Sequence, residues 1–297
     1  MRFQQLSSFA SSPRASSPGA SGTSEPGLGR DVEAHLAVDV AGRRTTLRRQ
    51  RVGYPLHMTR GFYLDTERPD LLTIYLQSAS GGLYAGDRLK LEVSVGAEAA
   101  FHLTTQAATV VHEGRAAGSR QCQSIAVGSG AFCAVASDPY VLFPGADLEL
   151  DTIASVADDA VLILAEGFAV HDPKAMGRAF AQFTSRLKIT RPDGRLLVQD
   201  IGRIRGEALH GGALGPMAAS ATIVVIAPSG RLAKVEEMER AADNCLCLAG
   251  CSPAPNGAGQ VMRILAPDGG ALARGMEAAF HVAGGAALGV DLARRRK

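Results

Sequence analysis

A mainly β fold of many short strands with about two α-helices is what this sequence predicts, and three observations carry the prediction. From Asp31 onward, short apolar runs are punctuated by Gly, Asp and Pro, the pattern of strands joined by turns. Residues 89–95 (LKLEVSV) alternate strictly, with Leu89, Leu91, Val93 and Val95 on one face and Lys90, Glu92 and Ser94 on the other. Only two stretches combine helix formers with a suitable length.

Along the chain, further strands are expected at 99–111, 124–127, 132–136, 148–156 and 161–164, separated by Gly or Asp-Pro breaks. Val161, Leu162, Ile163 and Leu164 are apolar without alternation, so that strand should be covered on both faces. Between 180 and 204, two strand-like runs flank Arg191-Pro192-Asp193-Gly194, where Pro presets a turn dihedral and Gly tolerates positive φ. A β-hairpin follows. Residues 221–227 (ATIVVIA) give another strand. The first helix is expected at 232–243, which lacks Gly and Pro, and the second near 271–282, where Leu272, Met276, Ala279 and Phe280 form an apolar stripe.

Composition sets the broad class. Lys and Arg total 31 and Asp and Glu 29, so a formal charge of +2 provides no general field for gathering nucleic acid. The basic clusters at 43–51 (RRTTLRRQR) and 294–297 read as solvated surface. Five cysteines are an odd set for a disulfide framework, which points to free thiols in a reducing, cytoplasmic compartment. No run of about 18 apolar residues occurs, so no membrane-spanning helix is expected. Residues 1–30 are rich in Ser, Gly, Ala and Pro and are expected to be a disordered tail, leaving 31–297 as a single domain.

Several residues carry chemistry. Gly81, Gly82 and Gly86 permit a tight turn that presents Asp87 at a strand entrance, where it either caps a backbone N–H or serves a ligand. Thr104, Thr105 and Gln106 lie on a strand, and one threonine hydroxyl must face inward and find a partner. Glu166 closes a run that reads as buried, so it needs an Arg, a water channel or a metal. Glu207 follows Arg203 and Gly206, and an ion pair with Arg203 or Arg205 is its plain explanation. Cys245, Cys247 and Cys251 place three soft ligands within seven residues, but without the usual zinc spacing or an adjacent histidine. There is no G-x-S-x-G elbow, no phosphate loop ending GK[ST] and no G-x-G-x-x-G after a strand, so the chain is not expected to be an enzyme.

Residues 81–109, with the GG-x-x-x-GD-x-L opening, the alternating strand and the TTQA block, resemble the signature region of the urease accessory protein D family. Further matches follow in order at Asp138-Pro139, at 143–146 (FPGA), at the strand ending in Glu166, and at Gly202-Arg203 with Gly206-Glu207. The resemblance runs from about Arg51 to Leu288, and it departs from the family at Val110, Val111 and His112.

The resemblance implies a twisted β-helical architecture and a non-catalytic chaperone role in urease maturation. It also implies partnership with the family's F and G accessory proteins on apo-urease. Nickel(II) would be in transit, with no cofactor held tightly. Oxygen ligands suit a conduit that must admit and release an ion, so Asp87, Glu166 and Glu207 are expected to line a wet passage. Two other classes are weighed beside it: a β-helical carbohydrate-active enzyme with paired carboxylates, and a metal-storage module using the cysteine triad.

Overall fold

The computed structural model describes residues 29–115, 117–210 and 215–295. In chain order the first strands are β1 (Asp31–Ala41), β2 (Arg44–Val52), β3 (Leu56–Met58), β4 (Leu72–Ser78), β5 (Arg88–Val95) and β6 (Ala100–Thr105). They continue as β7 (Val110–Val111), β8 (Ser119–Val127), β9 (Phe132–Ala136), β10 (Tyr140–Leu142), β11 (Asp147–Val156) and β12 (Val161–Val170). The hairpin β13 (Gln182–Thr190) and β14 (Leu196–Arg205) leads into the short helix α1 (Gly206–His210). The remainder comprises β15 (Ala219–Ile226), α2 (Val235–Asp243), β16 (Leu248–Pro253), β17 (Gly259–Ala266) and α3 (Gly269–Leu288).

Two sheets result. One runs β14-β13-β11-β8-β5-β1-β2, and the other runs β16-β17-β15-β12-β9-β6-β4-β3, with β7 and β10 attached to its side. The chain passes alternately between them from β5 to β13, and each strand lies parallel to its neighbour one coil away, as β5, β8 and β11 do. This is the stacked-coil β architecture expected above. It ends in antiparallel pairing: the β13–β14 hairpin on one sheet and β12, β15, β17 and β16 on the other.

Burial follows the residue pattern. β11 alternates between buried and half-buried along its whole length, as expected of a strand with one wet face. β12 is buried on both sides because α3 packs on its outer face, as its unbroken apolar run predicts. Asp268 caps α3 by accepting from the Ala271 amide over 2.8 Å, and the helix buries Leu272, Met276, Ala279 and Phe280, the predicted stripe. It extends six residues past the expected end, through Gly284 and Gly285, because tertiary packing outweighs their poor intrinsic propensity.

Several expectations need correction. The run 99–111 splits into β6 and β7, with Gln106 leaving the strand. β12 runs to Val170, so Glu166 is interior to a strand and does not end it. A third helix, α1, begins at Gly206, where a Cβ would lie 2.0 Å from the Phe180 carbonyl oxygen and only glycine fits. The segment 248–253, which follows Cys247 and contains Cys251, is the edge strand β16. The expected tail falls on residues 1–28, outside the described residues, while Arg30 is held against the domain by Asp87.

Candidate functional site

The space between the sheets is apolar at both ends and polar in the middle. One buried cluster contains Leu91, Ile125, Ala154, Leu164 and Leu187; another contains Leu89, Leu150, Phe168 and Phe183. On three successive strands the inward residue between the clusters is polar: Thr152 between Leu150 and Ala154, Glu166 between Leu164 and Phe168, Ser185 between Phe183 and Leu187. On β8, Gln121 and Gln123 occupy the row continued by Ile125 and Val127. The result is a polar belt across the solenoid.

Two cavities open onto this belt. The larger, about 620 Å³, is lined by Gly81, Gly82, Thr105, Gln106, Gln121, Gln123, Ser137, Asp138 and Tyr140, with leucines behind them. The smaller, about 20 Å³, holds Glu166 and Thr152 and shares Gln123, Ser137, Asp138 and Tyr140 with the first. A third, about 40 Å³, shares Ser137 and Asp138 and continues toward Thr104, Glu277 and Arg295 beside α3. Asp138 and Ser137 line all three and mark where the spaces meet.

Several residues in and beside the belt are held by local hydrogen bonds. Thr104 donates to the Ala136 carbonyl over 2.7 Å, and the Thr105 hydroxyl accepts the Asp138 amide over 2.8 Å. Both threonines are buried, where the sequence predicts one inside, because helices cover the second face of this sheet. The Tyr140 hydroxyl donates to Gln121 over 2.8 Å, and burial, then the nearby Glu166, raises its pKa. Glu166 is half-buried and lines the smaller cavity. Burial raises its pKa, opposed by the hydrogen bond it accepts from the Ser185 hydroxyl. Among the described residues, no arginine meets it directly. The serine and the cavity take that place.

The other candidates sit elsewhere. Asp87 is buried at the coil entrance, where it accepts from the Arg30 amide at 2.9 Å, the Arg30 guanidinium, and the Tyr84 amide at 2.9 Å. Burial raises its pKa, but those hydrogen bonds outweigh burial and hold the carboxyl below the usual carboxylate value. Gly82, at φ 134°, makes the turn possible, since a Cβ there would approach the Val110 carbonyl oxygen to 2.2 Å. Glu207 is exposed on α1, and the ion pair expected with Arg203 or Arg205 is not formed among the described residues. Neither Asp87 nor Glu207 lines the cavity that Glu166 and Asp138 share, nor the larger one beside it.

The cysteines are held separately. The Cys247 thiol points into α3 and donates to the Ala271 carbonyl at 3.4 Å, beside Gly275. The Cys251 amide donates to Glu239 at 2.8 Å. Burial, then Glu239, pushes the Cys251 thiol up to about 11, and burial also raises Cys247, so both hold their protons at neutral pH. Among the described residues, no three His, Cys, Asp or Glu side chains come together as a metal site, and no helix is long and apolar enough to cross a membrane.

Sequence reasoning missed Asp138 as a site residue, although its Asp-Pro pair was noticed, and it missed Gln121, Gln123, Tyr140 and Ser185 entirely. The available signal was a polar residue falling in phase with a buried apolar row.

Comparison with known proteins matches residues 31–297 to the family model described as UreD urease accessory protein. The urease accessory protein UreD 3 of Bradyrhizobium sp. (strain ORS 278) is 67% identical over 269 residues, covering 91% of this chain and 96% of that protein. UreD 1 of Methylorubrum extorquens (strain PA1) is 46% identical, covering 92% and 94% of the two chains. UreD 1 of Pseudomonas syringae pv. tomato (strain ATCC BAA-871 / DC3000) is 30% identical, covering 90% and 96%.

Proposed function

This chain belongs to the UreD urease accessory protein family, and from that membership we propose that it acts in the cytoplasm as a non-catalytic chaperone subunit, working with the F and G accessory proteins on apo-urease to deliver nickel. The observation that carries this reading is the polar belt, which unites Asp138 and Glu166 with the side-chain oxygens of Thr105, Gln121, Gln123, Ser137, Thr152 and Tyr140. Carboxylate, amide and hydroxyl oxygens bind a divalent ion more weakly than thiolates or imidazoles do. A row of such groups lets an ion enter, step and leave.

In this reading Glu166 acts as a gated ligand. Burial favours its protonated form, and an arriving Ni²⁺ displaces that proton from the carboxyl before the ion moves on toward Asp138. Asp87 supports the passage indirectly by fixing the Gly81–Gly82 turn that walls the larger cavity. Glu207, exposed on α1, is offered as an entry residue.

The test replaces Glu166, Asp138, Asp87 and Glu207 singly with Ala and measures urease activity, urease nickel content and co-purification of F, G and apo-urease. Loss of nickel loading with assembly intact in the Glu166 and Asp138 variants is the expected result. Full loading in all four variants would discard the passage.

A further inference from the structure

The arginine cluster at 43–51 plays no part in the belt, and its placement calls for an explanation. β2 is the outermost strand of its sheet. Arg48, Arg49, Gln50 and Arg51 are all exposed, and Arg49 and Arg51 lie opposite Ala37 and His35 on the outer face. Arg48 is the unpaired residue of a bulge. Thr45 is tied back to the domain through the Asp70 carbonyl. From Leu47 to Arg51, among the described residues, the outer edge makes no backbone hydrogen bond beyond the β1 ladder.

The carboxylates at the middle of the same face are internally neutralised, while Arg88, Arg203 and Arg205 on it are exposed and in no ion pair among the described residues. Glu92 is flanked by His35 at 2.7 Å and Lys90 at 2.6 Å, Asp151 by Arg120 at 2.7 Å and Arg186 at 3.1 Å, and Glu149 by Arg186 at 3.2 Å. Arg43, Arg48, Arg49 and Arg51 are in no ion pair among the described residues, and Arg44 only stacks over Tyr63. These five arginines exceed the formal net charge of +2, so the remainder of the chain is net acidic. Arg43, Arg44, Arg48, Arg49 and Arg51 thus form one dense block of positive charge on this edge.

We infer that the Arg48–Arg51 edge of β2 is a docking surface for an acidic face of a partner protein; the inference rests on the accessory reading for the identity of that partner. A second copy of this chain is a poor occupant, because a two-fold pairing through this strip would oppose arginine to arginine. Residues 1–28 do not supply the acid, since they hold Arg2 and Arg14 against Glu25 alone. Nucleic acid is disfavoured because residues 43–52 contain no aromatic side chain on which a base could stack. Charge on an edge strand also blocks edge-to-edge aggregation. A glutamate serves that purpose equally well, and this separates the two roles.

The experiment co-expresses the full tagged chain with apo-urease and the F and G accessory proteins, and quantifies each retained partner after nuclease treatment. The chain is either unchanged, Arg48→Glu/Arg49→Glu/Arg51→Glu, or the corresponding triple Lys or triple Gln variant. Circular dichroism and solubility check folding. Expected are a tenfold or greater loss of at least one named partner on charge reversal, a smaller loss with Gln, retention with Lys, and wild-type retention that weakens as salt rises. Equal retention by the reversed and original chains overturns the inference, as does association that disappears on nuclease treatment. Failure of the unchanged chain to retain any of the three overturns the accessory reading itself.

Discussion

The amide of Asp138 donates to the hydroxyl oxygen of Thr105 over 2.8 Å, tying the loop after β9 to the end of β6. This bond helps to place Asp138 where the cavities meet. Thr105→Val removes the acceptor and keeps the shape, leaving the amide without a partner, at a cost of about 1–3 kcal/mol. Urea unfolding of the purified chain checks it, with Thr105→Ser as the variant that retains the bond. A Thr105→Val protein as stable as the original would mean that the loop is positioned otherwise.

Glu166 should make stability depend on pH in an unusual direction. Its folded pKa lies above the ordinary value of 4.5, so the folded chain binds more protons than the unfolded one in the window that opens there. Its contribution is present below 4.5 and is lost as pH rises through the folded pKa. Glu166→Gln is expected to remove this slope and to gain stability, relative to the original, as pH climbs from 4.5 toward neutrality. Unfolding free energies measured across that range decide it, and parallel curves for the two proteins would contradict the assignment.

Asp87 carries the opposite sign. Its folded pKa lies below 3.8, so it stabilises the fold above that value and ceases to as pH falls below it. Asp87→Asn should cost about 1.5–3 kcal/mol at neutral pH through its charged hydrogen bonds, and less at pH 3. Arg30 is partly exposed and can return to water, which keeps the loss below that of a fully enclosed pair. Thermal melts at pH 7 and pH 3 test the difference; an equal loss at both would exclude a role for the charge.

At the far end of the chain, Arg295 reaches Asp65 at 3.1 Å and the His102 ring at 3.1 Å, with both members of the ion pair nearly inaccessible. Removing one partner strands a buried charge and should cost about 3–5 kcal/mol. Arg295→Met and Asp65→Asn are each expected to be severe, and the double variant less so than their sum. A double-mutant cycle in urea gives the coupling, and simple additivity would show that the pair is not formed in solution.

Gly82 offers a purely steric check. At φ 134°, with the Val110 carbonyl oxygen 2.2 Å from where an alanine methyl would sit, Gly82→Ala must displace the turn that walls the larger cavity. Backbone strain of this kind costs about 1–3 kcal/mol before the clash is counted. Gly194→Ala, which has positive φ but open space around it, should cost less. Soluble yield and melting temperature compare the two, and equal effects would leave dihedral strain as the whole explanation.

Much of this protein was readable from residue order alone. Alternation at 89–95, the unbroken run at 161–164, the Pro-Asp-Gly turn and the Leu272–Phe280 stripe are local patterns, and strand or helix periodicity reports directly on which side is buried. The signature at 81–109 led to the family in the same way. The belt was not readable so. Glu166 could be recognised as a carboxylate needing a partner, but its partner, Ser185, lies in the opposite sheet, and Asp138 joins it through a shared cavity. Likewise the arginines of 43–51 looked like ordinary solvated charge until strand order put them on an edge and ion pairs neutralised their neighbours. Local sequence sets the period of each strand, whereas the stacking of coils sets which strands face one another, and a site made across two sheets exists only once that stacking is complete.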